Sequence, residues 1–235
     1  MWNGKLKAFS FSFDDGILQD KRMVEIFDKY GLKGTFFISS ALIGTKSDKF
    51  DVFGKFCYHQ DKLEASEIRS LYKNHEVASH TMMHQNLTNL EQSAIIYQVE
   101  MDRKILSDIC GYEVVGLGYP CGGVNADERV ANIVKNFTGI KYARTNRCTR
   151  DFSFPPEQPC LLKTSVPVYD YNEITAMAKE FIALKPDTPK WFSVVGHAFE
   201  LDTAENINWQ NFEEFCKLIS NKDDIFYGTF KDVLL

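Results

Sequence analysis

Phe9-Ser10-Phe11-Ser12-Phe13-Asp14-Asp15-Gly16 is an apolar strand that ends in two adjacent carboxylates and a glycine. Along a strand, neighbouring side chains point to opposite faces. A glycine directly after the pair permits a turn that brings both carboxylates toward one place. Two carboxylates confined together repel, so one ionises readily and the other gains a raised pKa unless a cation intervenes. A bound metal resolves the conflict: one aspartate ligates it and the other handles protons. Asp-Asp-Gly is also ordinary turn composition, and alone it reads equally well either way.

That strand is the first of a series. Short β-branched or aromatic runs at 8–13, 35–39, 76–79, 114–119, 142–145, 162–168, 191–196 and 225–229 alternate with helical patterns near 17–30, 64–73, 89–109, 126–137, 172–184 and 209–220. In the first helix Leu18, Met23, Ile26, Phe27 and Tyr30 fall near helical spacing, and Gly31 stops it. Thr88 with Glu91, and Asn125 with Glu128, read as capping boxes at two helix starts. Strand–helix alternation implies a parallel sheet, and seven or eight such units imply a closed or nearly closed barrel. No internal repeat, low-complexity tract or Gly/Ser linker interrupts the pattern, so residues 1–235 read as one domain. In that architecture chemistry sits at the C-terminal ends of the strands.

Three more polar clusters fall at such ends. His80-Thr81-Met82-Met83-His84 follows the run 76–79. Two histidines four apart can face one metal, and neutral imidazole is a standard zinc ligand; an isolated pair of this kind is more often structural. Two histidines with one aspartate leave open positions for water and substrate. Gly118-Tyr119-Pro120-Cys121-Gly122-Gly123 forms a rigid turn that can turn backbone N–H groups toward an oxyanion, or serve as a plain loop. Gly196-His197-Ala198-Phe199-Glu200 puts a histidine where a general acid would stand at a barrel mouth. His59 and His75 have no such context.

Composition narrows the function classes. The chain is 44% hydrophobic and 25% charged, as expected of a globular protein with a sizeable core. Its formal net charge of −5 argues against nucleic acid as a partner, despite a local cluster of Lys141, Arg144, Arg147 and Arg150. The longest apolar runs are strand-sized, so no membrane span is expected. Residues 1–7 lack the features of a signal peptide. The six cysteines show no C-x-x-C pair and read as reduced, mostly buried thiols, which favours a cytoplasmic setting.

The four clusters, in this order, resemble the polysaccharide deacetylase family, the NodB-homology or carbohydrate esterase family 4 group. Ser-Phe-Asp-Asp-Gly at 12–16, Ser-His-Thr-x-x-His at 79–84, Tyr-Pro-Cys-Gly at 119–122 and His197 carry the match, which runs from the first strand to the last third of the chain. The resemblance implies an α/β fold, a single-domain distorted (β/α) barrel of about seven parallel strands. It also implies metal-dependent hydrolysis of an N-acetyl or O-acetyl group on a carbohydrate. Carried over by position, Asp15, His80 and His84 hold one divalent metal ion, zinc being the expected one. Asp14 is then the general base, His197 the general acid and the backbone N–H of Cys121 the oxyanion donor. Tyr119 and Trp191 are expected to face the substrate.

The departures define a variant subgroup. Gly118 stands where the family carries an arginine that pairs with the catalytic aspartate, and Arg144 in Tyr142-Ala143-Arg144-Thr145 is assigned that role. Cys121 replaces an aromatic residue. The family's Asp-x-x-Asp-Trp segment, which orients the catalytic histidine, is absent, leaving Asp170 or Glu200 to replace it. Two rival functions remain: a small-amide hydrolase of the allantoinase-like branch, and a catalytically silent carbohydrate-binding domain.

Overall fold

The computed structural model describes residues 1–50, 54, 56–154 and 156–235. The chain runs β1 (Lys7–Asp14), α1 (Asp20–Tyr30), β2 (Gly34–Ile38), β3 (Asp48–Phe50), β4 (Phe56–His59), α2 (Ala65–Leu71), β5 (Glu76–Ser79), α3 (Gln92–Cys110) and β6 (Gly116–Gly118). It continues through α4 (Glu128–Phe137), β7 (Tyr142–Cys148), β8 (Leu162–Thr164), β9 (Val166–Pro167), α5 (Tyr171–Ala183) and β10 (Lys190–Gly196). The last elements are α6 (Glu200–Thr203), α7 (Trp209–Ile219), β11 (Ile225–Tyr227) and α8 (Phe230–Leu234).

The main sheet has the order β8-β7-β6-β5-β2-β1-β10-β9. Its pairings are parallel. β8 pairs with β7 and β9 with β10, yet only Ser165 separates β8 from β9 in the chain. One segment, 162–167, thus brings the two ends of the sheet together. β1 is the hub. Lys7 to Phe13 align with Lys190 to Gly196 of β10 on one side. On the other side β11 pairs with Lys7 to Phe9, and β2 takes over from Phe11 to Asp14. That shared edge is the distortion in the barrel.

The phenylalanines of β1 show why the first strand forms where it does. Phe9, Phe11 and Phe13 point outward into the largest apolar cluster, against Phe27 of α1 and Phe212 and Phe215 of α7. Phe11 and Phe27 stack with centroids 4.4 Å apart, a favourable geometry for two aromatic rings. The alternate residues face the barrel interior. There Ala8 joins Phe37, Tyr142, Trp191 and Phe230 in a separate cluster, and Ser10 Oγ accepts from Trp191 Nε1 at 2.7 Å.

α8 closes the floor. The Phe230 N–H donates to Thr35 Oγ1 at 2.8 Å and the Lys231 N–H to Glu76 Oε2 at 3.0 Å. Glu76 also accepts from Tyr142 Oη at 2.7 Å and from Thr35 Oγ1 at 2.9 Å. Burial raises the pKa of its carboxyl, and these donors supply the hydrogen bonds that such a buried group requires.

Each strand expected from the sequence has a counterpart here. The hairpin β3–β4 and the short helices α6 and α8 were not expected, being too short or too irregular to show periodicity. Both capping expectations are corrected. α3 starts after Glu91, with Thr88 inside a preceding one-turn 3-10 helix, Leu87–Asn89. α4 is capped by Asp127, whose side chain accepts from the Val130 N–H at 2.8 Å. Asn125 is drawn away from that role because its amide donates to Tyr119 O at 2.7 Å. Gly31 does end α1, at φ 64. The thiols of Cys110, Cys160 and Cys216 are buried and free, that of Cys148 is half-buried and that of Cys121 is exposed; the side chain of Cys57 lies outside the described residues. Among the described residues no helix is long and apolar enough to cross a membrane.

Phe230 is fully buried and packs on Trp191 with centroids 4.8 Å apart. Phe230→Ala is expected to open a cavity at the floor and cost about 3–5 kcal/mol, read as a lower midpoint in urea denaturation.

Candidate active site

Asp14 and Asp15, neighbours in sequence, are sent to different partners. Asp14 continues the inward series of β1 and meets Arg144, which β7 also turns inward. The Arg144 Nη2 group donates to Asp14 Oδ1, Nη1 donates to Thr145 O at 3.2 Å, and the guanidinium lies 4.8 Å from the centre of the Phe37 ring. Both side chains are almost wholly buried, at 2% and 9% exposure. Burial alone would raise the pKa of Asp14, but the charges of Arg144, His80 and His197 outweigh it and hold the carboxyl below its usual range. Gly118 is the register partner of Arg144 on β6. A Cβ at 118 would lie 2.8 Å from Phe37 Cγ and 3.1 Å from Arg144 Nη2. The space for an arginine at 118 is therefore filled from the next strand.

Asp15 adopts φ 86, which swings its carboxylate away from the strand alternation while its N–H still donates to Phe37 O at 2.8 Å. Its Oδ1 lies 3.6 Å from His84 Nε2 and its Oδ2 4.0 Å from His197 Nε2. One donor atom each from Asp15, His80 and His84 falls within 4.8 Å of the others. His80 Nδ1 lies 2.7 Å from Gly118 O, which keeps a proton on that nitrogen and leaves Nε2 free. Burial lowers the pKa of His80 to about 4. Burial raises that of Asp15, but Lys62 and the three histidines outweigh it and bring it to about 2. At neutral pH these two groups are thus in the protonation states that a metal requires, and the donor set fits a divalent cation with open positions.

Backbone strain gathers here. Thr81, His84 and Cys121 share the left-handed region with Asp15, at φ 62, 54 and 72. Such residues cost roughly 1–3 kcal/mol each and persist where the surroundings hold them. For the two-histidine loop the hold comes from α3. Asp102, fully buried, accepts from Ser40 N at 2.6 Å, Ser79 Oγ at 2.6 Å and His80 N at 3.0 Å. One turn earlier, Gln98 accepts at its backbone carbonyl from Met82 N at 2.9 Å and at Oε1 from Met83 N at 3.0 Å.

His197 follows β10. Glu200 folds back on it, accepting from the His197 N–H at 3.0 Å and lying 3.4 Å from Nδ1, which leaves Nε2 for the site. Burial opposes a charge on this ring, but the hydrogen bond to Glu200 and the charges of Asp14, Glu200 and Asp15 raise its pKa to about 9. Asp170 instead caps α5, accepting from Asn172 N and Glu173 N at 2.9 and 3.0 Å. Phe199 lies 4.9 Å from the His197 ring and stacks at 4.3 Å on Tyr58 of β4.

Of the residues expected at the site, Asp14, Asp15, His80, His84, Arg144 and His197 converge. Cys121 borders them, its thiol donating to His84 O at 3.7 Å. Tyr119 and Trp191 do not face the site. Tyr119 is buried, with its hydroxyl donating to Cys160 O at 3.0 Å. Trp191 is level with Ala8 on β1, six residues below Asp14, or roughly 20 Å at strand rise. Sequence reasoning missed Gln60, whose Nε2 donates to Asp15 Oδ2 at 3.0 Å, and Lys62, 3.4 Å from Oδ1. Nothing in the irregular segment before α2 signals either. It also missed Asp102, which did carry a signal: an acid on the helix face shared by Ile95, Val99 and Leu106, all buried.

Residues 3–142, more than half the chain, match the polysaccharide deacetylase family. Among curated proteins no match is found. A solved polysaccharide deacetylase from Bacillus cereus is 19% identical, with a TM-score of 0.51 over 66% of this chain and 45% of its own; the chain spans less than half of that relative. A Mycobacterium smegmatis protein assigned to the polysaccharide deacetylases is 14% identical, with a TM-score of 0.62 over 98% of this chain and 89% of its own. A Bacillus anthracis protein described as a family 4 carbohydrate esterase pseudoenzyme is 14% identical, with a TM-score of 0.57 over 97% and 66%. At such identities the structures show a shared fold, and the family match adds descent: the chain belongs to the polysaccharide deacetylase family.

Proposed function

We propose that the protein hydrolyses the acetyl group of an acetylated carbohydrate, with a divalent cation held by Asp15, His80 and His84. The fold does not carry this reading, since a pseudoenzyme shares it. What carries it is the separation of the two neighbouring carboxylates, Asp14 to Arg144 and Asp15 to the histidines. A domain that only binds sugar needs no second, ionised carboxylate held beside the first.

Two imidazoles and one carboxylate with open positions suit zinc, which when bound would supply Lewis acidity toward a water and an acetyl carbonyl. Asp14, kept ionised by Arg144, accepts the proton of the attacking water. The N–H of Cys121, on the loop after β6, is assigned to the oxyanion. His197 donates from Nε2 to the departing amine or alcohol, while Glu200 steadies Nδ1. Release of acetate from chitooligosaccharides or acetylated xylan, set against small non-sugar amides, separates this function from the amide-hydrolase alternative.

Asp14→Asn should lower turnover by about 10²–10⁴-fold while zinc still binds in calorimetric titration; near-normal rates would defeat the base assignment. His197 must be protonated to act as an acid, and its pKa is raised to about 9. Turnover should therefore hold across neutral pH and fall on the alkaline side, at or below about 9 because a cation on Asp15 offsets one of the charges that raise the value, a limb that His197→Ala should abolish along with most of the rate. Arg144→Ala leaves Asp14 buried without its counter-charge, at an expected cost of about 3–5 kcal/mol. Gly118→Arg should clash with Phe37 and Arg144, and because Arg144→Gly relieves only the second contact, the double variant should recover little of that loss while Phe37 stays in place.

A further inference from the structure

The segment between β4 and α2 carries a cation to the candidate metal centre. Lys62 Nζ lies 3.4 Å from Asp15 Oδ1, the same oxygen that is 3.6 Å from His84 Nε2. The Lys62 backbone is strapped to the first motif. It bridges Ile17, and the flanking bonds run from Leu63 N to Gly16 O and from Leu18 N to Asp61 O, each 2.9 Å. Its side chain is only 9% exposed. A second carboxylate is tied to the same place, since the Asp20 N–H donates to the carbonyl of that Ile17 at 3.0 Å. Asp20, the first residue of α1, is fully buried. Its Oδ2 accepts from Tyr72 Oη at 2.6 Å, and its Oδ1 has no hydrogen-bond partner among the described residues. Burial lowers the pKa of Lys62, and the negative charges of Asp15 and Asp20 work against that shift. Burial raises the pKa of Asp20 to about 7, as fits a carboxyl short of a counter-charge.

We propose that Lys62 is the resident counter-cation of Asp15 and that a divalent metal entering the Asp15–His80–His84 site displaces it onto Asp20. The exchange rests on the metal-ligand reading above. Without it, ammonium and metal would share one carboxylate oxygen in a mouth where solvent screens little of their repulsion. Asp20 Oδ1 offers the displaced ammonium a buried acceptor without a hydrogen-bond partner among the described residues. Metal affinity then depends on a lysine and an aspartate that are not themselves ligands.

Calorimetric titration of the metal-free 235-residue chain with zinc tests the exchange. Lys62→Met and Lys62→Gln remove the competitor, so both should bind zinc roughly tenfold or more tightly than the wild type, with thermal melts confirming that each is folded. Asp20→Asn should weaken zinc binding several-fold, and the same change in the Lys62→Met background should have no effect. Equal or weaker affinity in the folded Lys62 variants overturns the proposal, as does an equal Asp20→Asn loss in both backgrounds. Zinc binding that survives His80→Ala and His84→Ala overturns the metal-ligand reading itself, and this inference with it.

Discussion

The buried pair of Arg144 and Asp14 holds the mouth of the barrel together. Removing two charges from water is costly, and only close geometry with further hydrogen bonds offsets it. Here the guanidinium rests on Phe37 and also donates to Thr145, so the pair joins residues of β1, β2 and β7. It also decides what each aspartate can do. Asp14 is ionised because it faces an arginine. Asp15, freed from that partner by its positive φ, can turn to the histidines.

The sequence made the frame and much of the site legible, each for a physical reason. β1 was readable because an apolar run breaks into two carboxylates and a glycine. His80, His84 and His197 were readable because each follows a strand at the end where a parallel barrel gathers its loops. Arg144 could be nominated from the gap at Gly118, but its reach to Asp14 depends on the register of β6 against β7. Trp191 and Tyr119 failed because an aromatic near a motif is as readily barrel filling as substrate wall. Trp191 stands at the N-terminal end of its strand, level with Ala8, whereas the loops of the site gather at the opposite end. Lys62 and Gln60 were invisible because the segment that carries them has no period and no turn signature.

Support for the site comes from elements that stand behind it. α3 supplies Asp102 and Gln98, which together take five donors from the chain around the two histidines. One turn of helix apart on a long rigid element, they hold Thr81 and His84 in backbone conformations that such residues rarely adopt. Glu200 anchors the His197 N–H and ring from one turn downstream. In both places a carboxylate anchors the backbone amide of a site histidine.

The hub position of β1 has a consequence for how the molecule forms. β1 is made before the other strands of its sheet, yet its partner along seven residues, β10, begins only at Lys190. As the chain emerges from the ribosome, one edge of an apolar, phenylalanine-rich strand waits for most of the polypeptide before it can be paired. Pairings of such sequence separation slow folding and leave unpaired edges open to other chains. The strand that carries Asp14 and Asp15 is thus also one that leaves the nascent chain open to aggregation.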